Sequence, residues 1–127
     1  MANNQRPLSP HLGIYKWPLA MAISILHRMT GVALAIGAVL MVAVFVTVAA
    51  DPESYEWIRG ILSSKTGKAF LFLWTFALFL HLCNGVRHLF WDAGYGFEKQ
   101  TTFNSGVFTI IATAALTIAV WGYAYFF

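Results

Sequence analysis

Charged residues are scarce in this chain of 127 residues, which has 8 lysines and arginines and 5 aspartates and glutamates. They make up 10% of the sequence, whereas soluble proteins average about 25%. The hydrophobic share is 59%. A soluble globular domain is excluded by this balance, and the composition is that of a membrane protein.

Cysteine is scarcer still, since Cys83 is the only one. An internal disulfide is therefore excluded. The sequence has no flavin or iron–sulfur motif of its own. It also has no basic run and no alternation of basic and aromatic residues, so we expect no nucleic-acid partner. The first twenty residues lack the apolar core and the small-residue cleavage site of a secretory signal.

Three apolar windows are free of charge: 29–50, 69–86 and 107–127. As helices, the first two are about 33 and 27 Å long, against a hydrocarbon core of about 30 Å. The sequence predicts an all-α transmembrane bundle of three spanning helices, at about 20–50, 67–92 and 104–127, in a single domain covering 1–127. Residues 51–68 are predicted to be a connecting loop, partly helical around 55–62.

The distribution of basic residues predicts the orientation. Five fall on the side of the N-terminus and three in the first loop, which favours an inside N-terminus and an outside C-terminus. The five are Arg6, Lys16, Arg28, Arg87 and Lys99, and the three are Arg59, Lys65 and Lys68.

A polar stripe runs along the second predicted span. His81, Asn84, Gly85 and His88 share one helical face. An ionisable residue at membrane depth costs roughly 2.5 to 3.5 kcal/mol on insertion scales, so such residues usually serve a site. His81 is either a core histidine bonded to a neighbouring helix or an axial ligand of haem iron. His88 is too close along the same face to be the opposite ligand. His27 is too near the surface and His11 lies in the lead-in before the first span, so we expect that ligand from another subunit.

The first predicted span has a matching stripe near its inner end, formed by Trp17, Met21, Ser24, His27 and Arg28. The two stripes are predicted to meet at the inner membrane surface. Arg28 and Arg87, with His27 and His88, would bind haem propionates or a quinone headgroup there. The alternative for each arginine is an interfacial anchor whose stem lies in lipid.

Two motifs are recognisable at this point. SILHRMTG at 24–31 and HLCNGVRHLFWDAGY at 81–95, preceded by RPLSPHLGIYKWPLAMA at 6–22, resemble the larger cytochrome b-type membrane anchor subunit of succinate dehydrogenase, respiratory complex II. The resemblance covers nearly the whole chain. It implies that the three helices belong to a larger bundle with a second, small anchor subunit, docked on an iron–sulfur subunit and a flavoprotein subunit.

The resemblance also implies the site residues. His81 would be this chain's axial ligand to a haem b shared with the second anchor, and His27 would lie near the haem propionates. Ser24 and Arg28 would hold ubiquinone, in a pocket lined by Trp17, Met21 and Ile25. Electrons from succinate would reach the quinone through the flavoprotein and iron–sulfur subunits. Arg28 and His88 complete the residues expected around the haem.

Two other functions are consistent with three spans and inward-facing polar residues. One is the anchor of a menaquinone-linked fumarate reductase, and the other is a non-redox transport or assembly subunit. We expect a multi-pass protein in contact with membrane lipid. A bacterial cytoplasmic membrane is preferred to the mitochondrial inner membrane, because no presequence is visible.

Overall fold

The computed structural model describes residues 16–126, which form four helices and no strand. These are α1 (Leu19–Ala50), α2 (Pro52–Ser63), α3 (Lys65–Asp92) and α4 (Lys99–Phe126). Three of them, α1, α3 and α4, are long and apolar enough to cross a membrane. The predicted all-α fold with three spans is therefore confirmed. We call the end of the bundle where α1 begins and α3 ends the proximal end.

The connection between the first two spans is more helical than the sequence predicted, because α2 occupies 12 of its residues. Asp51 caps α2, and its carboxylate accepts hydrogen bonds from the backbone amides of Glu53 and Ser54 at 3.3 and 3.0 Å. The Ser54 hydroxyl also donates to Asp51, and these bonds hold the pKa of that carboxyl below its usual range. Pro52 suits the first helical position, which needs no amide donor.

The long helices also begin earlier than the charge-free windows suggested. Ser64 caps α3 by accepting from the Gly67 amide at 3.0 Å, so Lys65 and Lys68 belong to the first turn of that helix. Lys99 likewise opens α4. Lysines are tolerated at these ends because their stems can lie along lipid while the ammonium stays in water.

Helix α3 lies at the centre of the bundle and packs against the other three helices. On α4, three threonines four residues apart are buried: Thr109, Thr113 and Thr117. Each of these hydroxyls donates to the carbonyl four residues earlier, at 2.7–2.9 Å, so none of the three is left unpaired. Most large apolar side chains instead face outward, as expected for helices that cross a membrane.

Close contact between α1 and α3 depends on Gly37, which is buried under the Trp74 ring. A methyl group at position 37 would overlap that ring, and a rigid indole cannot move aside cheaply.

We therefore expect Gly37→Ala to weaken the packing of α1 on α3 by about 1–3 kcal/mol. The Tm of the purified complex in detergent should fall. Gly122→Ala is the control, because a methyl group there meets nothing within 4 Å in the described part of the chain. An unchanged Tm for Gly37→Ala would show that the two helices do not pack as described.

Candidate functional site

Three histidines come together near the proximal end, one from α1 and two from α3. The rings of His27 and His81 are stacked, with centroids 4.0 Å apart and planes within 7° of parallel. His88 approaches His27 at 5.0 Å with a tilt of 44°. The two polar stripes therefore meet, as their spacing predicted. His27 lies between the two histidines of α3.

The ring of His81 is held by two contacts from α1. Its Nδ1 lies 3.2 Å from the carbonyl oxygen of His27 and 3.2 Å from Oγ1 of Thr30. A carbonyl oxygen can only accept, so the bonding pattern assigns the ring proton to Nδ1. The lone pair of Nε2 then remains available to a metal. This is the usual arrangement of metal-binding histidines, whose second nitrogen donates to a carbonyl or carboxylate.

Gly31 makes room for the stacked rings. A Cβ at position 31 would lie 3.0 Å from Cε1 of His81, closer than side chains normally approach. A Cβ on Gly85 would lie 3.8 Å from Cε1 of His27, an ordinary van der Waals distance, so the stacking does not require a glycine there. The sequence predictions did not anticipate that Gly31 makes room for the His81 ring.

Nδ1 of His27 is buried and has no hydrogen-bond partner within residues 16–126. An unsatisfied buried polar atom costs about 1–3 kcal/mol, so a partner from outside this part of the chain is expected. The stacking also excludes His27 and His81 as opposite ligands of one iron. Such ligands must point their in-plane lone pairs at each other across the metal, whereas these rings lie face to face.

The five residues predicted to surround a quinone lie on the first three turns of α1 or directly before it. Trp17, Met21 and Arg28 are exposed, and Ser24 and Ile25 are half-buried. Ser24 and Arg28 are one helical turn apart and make no hydrogen bond within the described residues. The chain therefore presents a hydroxyl and a guanidinium on a face of α1 that residues 16–126 leave uncovered, where another molecule can bind them.

Arg87 lies apart from the histidines and from the predicted quinone residues. The prediction that it binds a haem propionate or a quinone headgroup is therefore wrong. Its guanidinium is buried between α3 and α4, where it donates to Asn84, Thr102 and Ser105. An interfacial anchor is excluded as well, because only 6% of the residue is exposed. His88, by contrast, is half-buried and packs against the edge of Trp91, with ring centroids 5.1 Å apart.

Residues 2–120 match the model of the succinate dehydrogenase/fumarate reductase transmembrane subunit family. The chain belongs to this family. Among its relatives is the succinate dehydrogenase cytochrome b556 subunit of Rickettsia bellii, 42% identical over 93% of this chain and 92% of the relative.

Two further relatives come from other groups of organisms. The cytochrome b556 subunit of Paracoccus denitrificans is 39% identical, over 89% of this chain and 87% of its own length. The human mitochondrial cytochrome b560 subunit is 40% identical, over 87% of this chain and 66% of the relative. With its three membrane-spanning helices, this member of the family is a multi-pass membrane protein.

Proposed function

We propose that this chain is the cytochrome b-type membrane anchor of a succinate:ubiquinone oxidoreductase, where it holds one side of a haem b and part of the quinone-reduction site. The observation that carries the proposal is the bonding of His81. Its Nδ1 is satisfied by α1, which leaves Nε2 free in an apolar bundle. The relatives support the same reading, because their names combine succinate dehydrogenase with a b-type cytochrome.

The residues present fit a haem. Imidazole is a common iron ligand, and His81 supplies one that is already oriented. His27, with its unsatisfied Nδ1, together with His88 and Arg28, offers donors to propionate oxygens at the proximal end. Bound there, the haem would act as a one-electron carrier close to the quinone. The opposite ligand would come from the second anchor subunit, since His27 is stacked on His81 and cannot provide it.

The quinone site uses the uncovered face of α1. Arg28 and Ser24 bind and polarise one carbonyl oxygen of ubiquinone, and Trp17, Met21 and Ile25 contact the ring. A guanidinium stabilises the negative charge that develops on that oxygen as electrons arrive from the iron–sulfur subunit. Protons come from the aqueous phase at the proximal end, which is the inner side in the proposed orientation.

The whole chain acts as one membrane-anchor domain, with its N-terminus inside and its C-terminus outside. Its partners are the second small anchor, the iron–sulfur subunit, the flavoprotein subunit and membrane lipid. The bacterial cytoplasmic membrane is the proposed location, and the mitochondrial inner membrane is the alternative.

The proposal is tested on the purified complex by two measurements. Succinate should reduce a ubiquinone analogue, and dithionite should produce the absorption bands of a b-type cytochrome. A complex without b-type absorption would contradict the proposal and support a non-redox subunit. The family also includes fumarate reductase anchors. Preferential turnover with menaquinol and fumarate would therefore show that the complex reduces fumarate and does not reduce ubiquinone.

Thr30 gives a narrower test of how His81 is held. Thr30→Val removes the hydroxyl that touches Nδ1 of His81, and we expect haem affinity to fall about tenfold, the lower end for a group that supports a metal ligand. Thr47→Val is the control, because Thr47 also bonds the carbonyl four residues earlier on α1 but does not contact His81. Haem titration of the two variants should separate them, and equal affinities would show that Thr30 does not support the ligand.

A further inference from the structure

We propose that Arg87 is a positioning residue: it fastens the proximal end of α3 to the start of α4 and thereby aims His81 at the haem iron. The inference rests on the proposed function, because it takes His81 as the ligand. It assigns a role to a buried arginine that the quinone and haem sites leave unused.

The guanidinium of Arg87 makes three hydrogen bonds that join two helices. Nε donates to Oγ of Ser105 at 2.9 Å and Nη2 donates to the carbonyl oxygen of Thr102 at 2.8 Å, both on α4. Nη1 donates to Oδ1 of Asn84 at 3.3 Å, one turn earlier on α3. The planar fork of arginine suits this arrangement, because its donors point in fixed and different directions.

The turn between the helices is tied to the same place. The guanidinium carbon lies 4.1 Å from the centre of the Trp91 ring, a cation–π contact. Nε1 of Trp91 and Oγ1 of Thr102 both donate to the carbonyl of Gly96, each at 3.2 Å. Gly96 itself has φ +84°, a conformation that glycine adopts without strain. Arg87 therefore stands at the centre of a closed corner between α3 and α4.

Asn84 connects this corner to the histidine face. It is fully buried, three residues after His81 and four before His88, so it lies between the histidines and Arg87 around the helix. Its Nδ2 has no hydrogen-bond partner within residues 16–126. Among these residues, the bond from Arg87 to Oδ1 therefore fixes the orientation of the Asn84 amide.

Rotation of α3 is the motion that this corner prevents. The side chains of a helix lie about 5–6 Å from its axis, so a turn of 20° would carry His81 through about 2 Å. Metal–ligand distances tolerate only about 0.2 Å. His81 has its own contacts to α1, but these cross to a separate helix and do not fix α3 against α4.

The arginine is buried without a carboxylate partner in the described part of the chain, where the only ion pair joins Arg59 and Glu56. Burying a cation beside neutral acceptors is costly in a membrane, and an apolar residue would avoid that cost. The benefit lies in the geometry of the three bonds. A lysine keeps the charge, but all its N–H donors are on one nitrogen and cannot reach the three separate acceptors. We therefore expect that lysine does not replace Arg87.

The test compares Ser105→Ala, Arg87→Lys and the control Asn104→Ala in the intact complex. Asn104 is exposed, adjacent to Ser105 on α4, and bonded only to Gln100 among the described residues. The readouts are the electron paramagnetic resonance spectrum of the oxidised haem, the width of the reduced α band, and the haem-to-flavin ratio. The first two report the angle of the axial imidazoles, which general loss of stability would not change.

We expect Ser105→Ala to shift the resonance and broaden the α band while the haem-to-flavin ratio stays within twofold. Arg87→Lys should give a larger shift and about tenfold weaker haem binding, and Asn104→Ala should match the wild type. Ser105→Ala leaves the guanidinium in place, so it decides the question if the Arg87→Lys complex does not accumulate. A Ser105→Ala spectrum identical to the wild type would overturn the inference. A His81→Ala complex with unaltered haem would overturn the proposed ligand instead.

Discussion

A complex that carries His81→Ala is expected to assemble with a much lower ratio of haem to flavin than the wild type. The substitution removes the imidazole whose Nδ1 is held by α1 and whose Nε2 is free for iron. Without His81, the haem is retained only by the ligand of the second anchor subunit, by apolar contacts and by propionate bonds. We also expect the remaining haem to lose the spectrum of an iron with two imidazole ligands, because one ligand is missing.

The control for this experiment is Leu82→Ala, next to His81 on α3 and largely exposed. It removes a side chain at the same depth without touching the histidine cluster, so its haem content should equal that of the wild type. Haem is measured as the pyridine haemochrome and flavin by fluorescence after digestion. If His81→Ala and Leu82→Ala retain equal haem with the same spectrum, His81 is not the ligand.

Arg28→Ala is expected to retain the haem, because His81 still binds the iron and His27 and His88 still face the propionates, and to lower quinone reduction by roughly 10- to 100-fold in kcat/KM. The reason is the loss of a charge-assisted hydrogen bond to the quinone oxygen, which contributes about 1.5–3 kcal/mol. Arg28 is exposed on α1 and makes no hydrogen bond or ion pair within residues 16–126, so its removal should not disturb the bundle. Succinate oxidation with an artificial acceptor that bypasses the quinone should continue at the wild-type rate.

Arg59→Ala controls for the loss of an exposed arginine. Arg59 lies on α2 at the other end of the bundle, where it pairs with Glu56 at 3.5 Å. Its quinone kinetics should be unchanged. Equal quinone kinetics in Arg28→Ala and the wild type would remove Arg28 from the site, while equal losses in both arginine variants would indicate a general effect of charge.

The spans and the polar stripes could be predicted because both depend on periodicity within one helix. Charge-free runs predicted the positions of α1, α3 and α4. The spacing of His81, Asn84 and His88 predicted that these three side chains share one face of α3. The extent of α2 was underestimated, because its short sequence mixes charged and apolar residues and has no long apolar run. Asp51 followed by Pro52 is the local signal for its start, since together they cap a helix.

The stacking of His27 on His81 depends on how two helices align, which periodicity does not give. Sequence reasoning placed His27 too near the surface to pair with a deep histidine. Yet His27 lies eight residues from the start of α1, about 12 Å, and His81 eleven from the end of α3, about 16 Å. Because these helices are antiparallel neighbours, the two rings reach nearly the same depth.

The burial of Arg87 could not be predicted from the sequence for a related reason. Its position on the helical wheel pointed away from the histidines, which is consistent with either lipid or a third helix. Its acceptors on α4, Ser105 and the Thr102 carbonyl, lie 18 and 15 residues further along the chain. Only the turn around Gly94 and Gly96, both with positive φ, brings the start of α4 back against it.

The most direct test of the proposed haem site is a cryo-electron microscopy map of the intact complex from the same source. We expect a haem at the proximal end, with its iron coordinated by Nε2 of His81 on one side and by a histidine of the second anchor subunit on the other. Nδ1 of His81 should still donate to the His27 carbonyl. A haem ligated without His81, or a map with no haem beside α3, would contradict the proposed function.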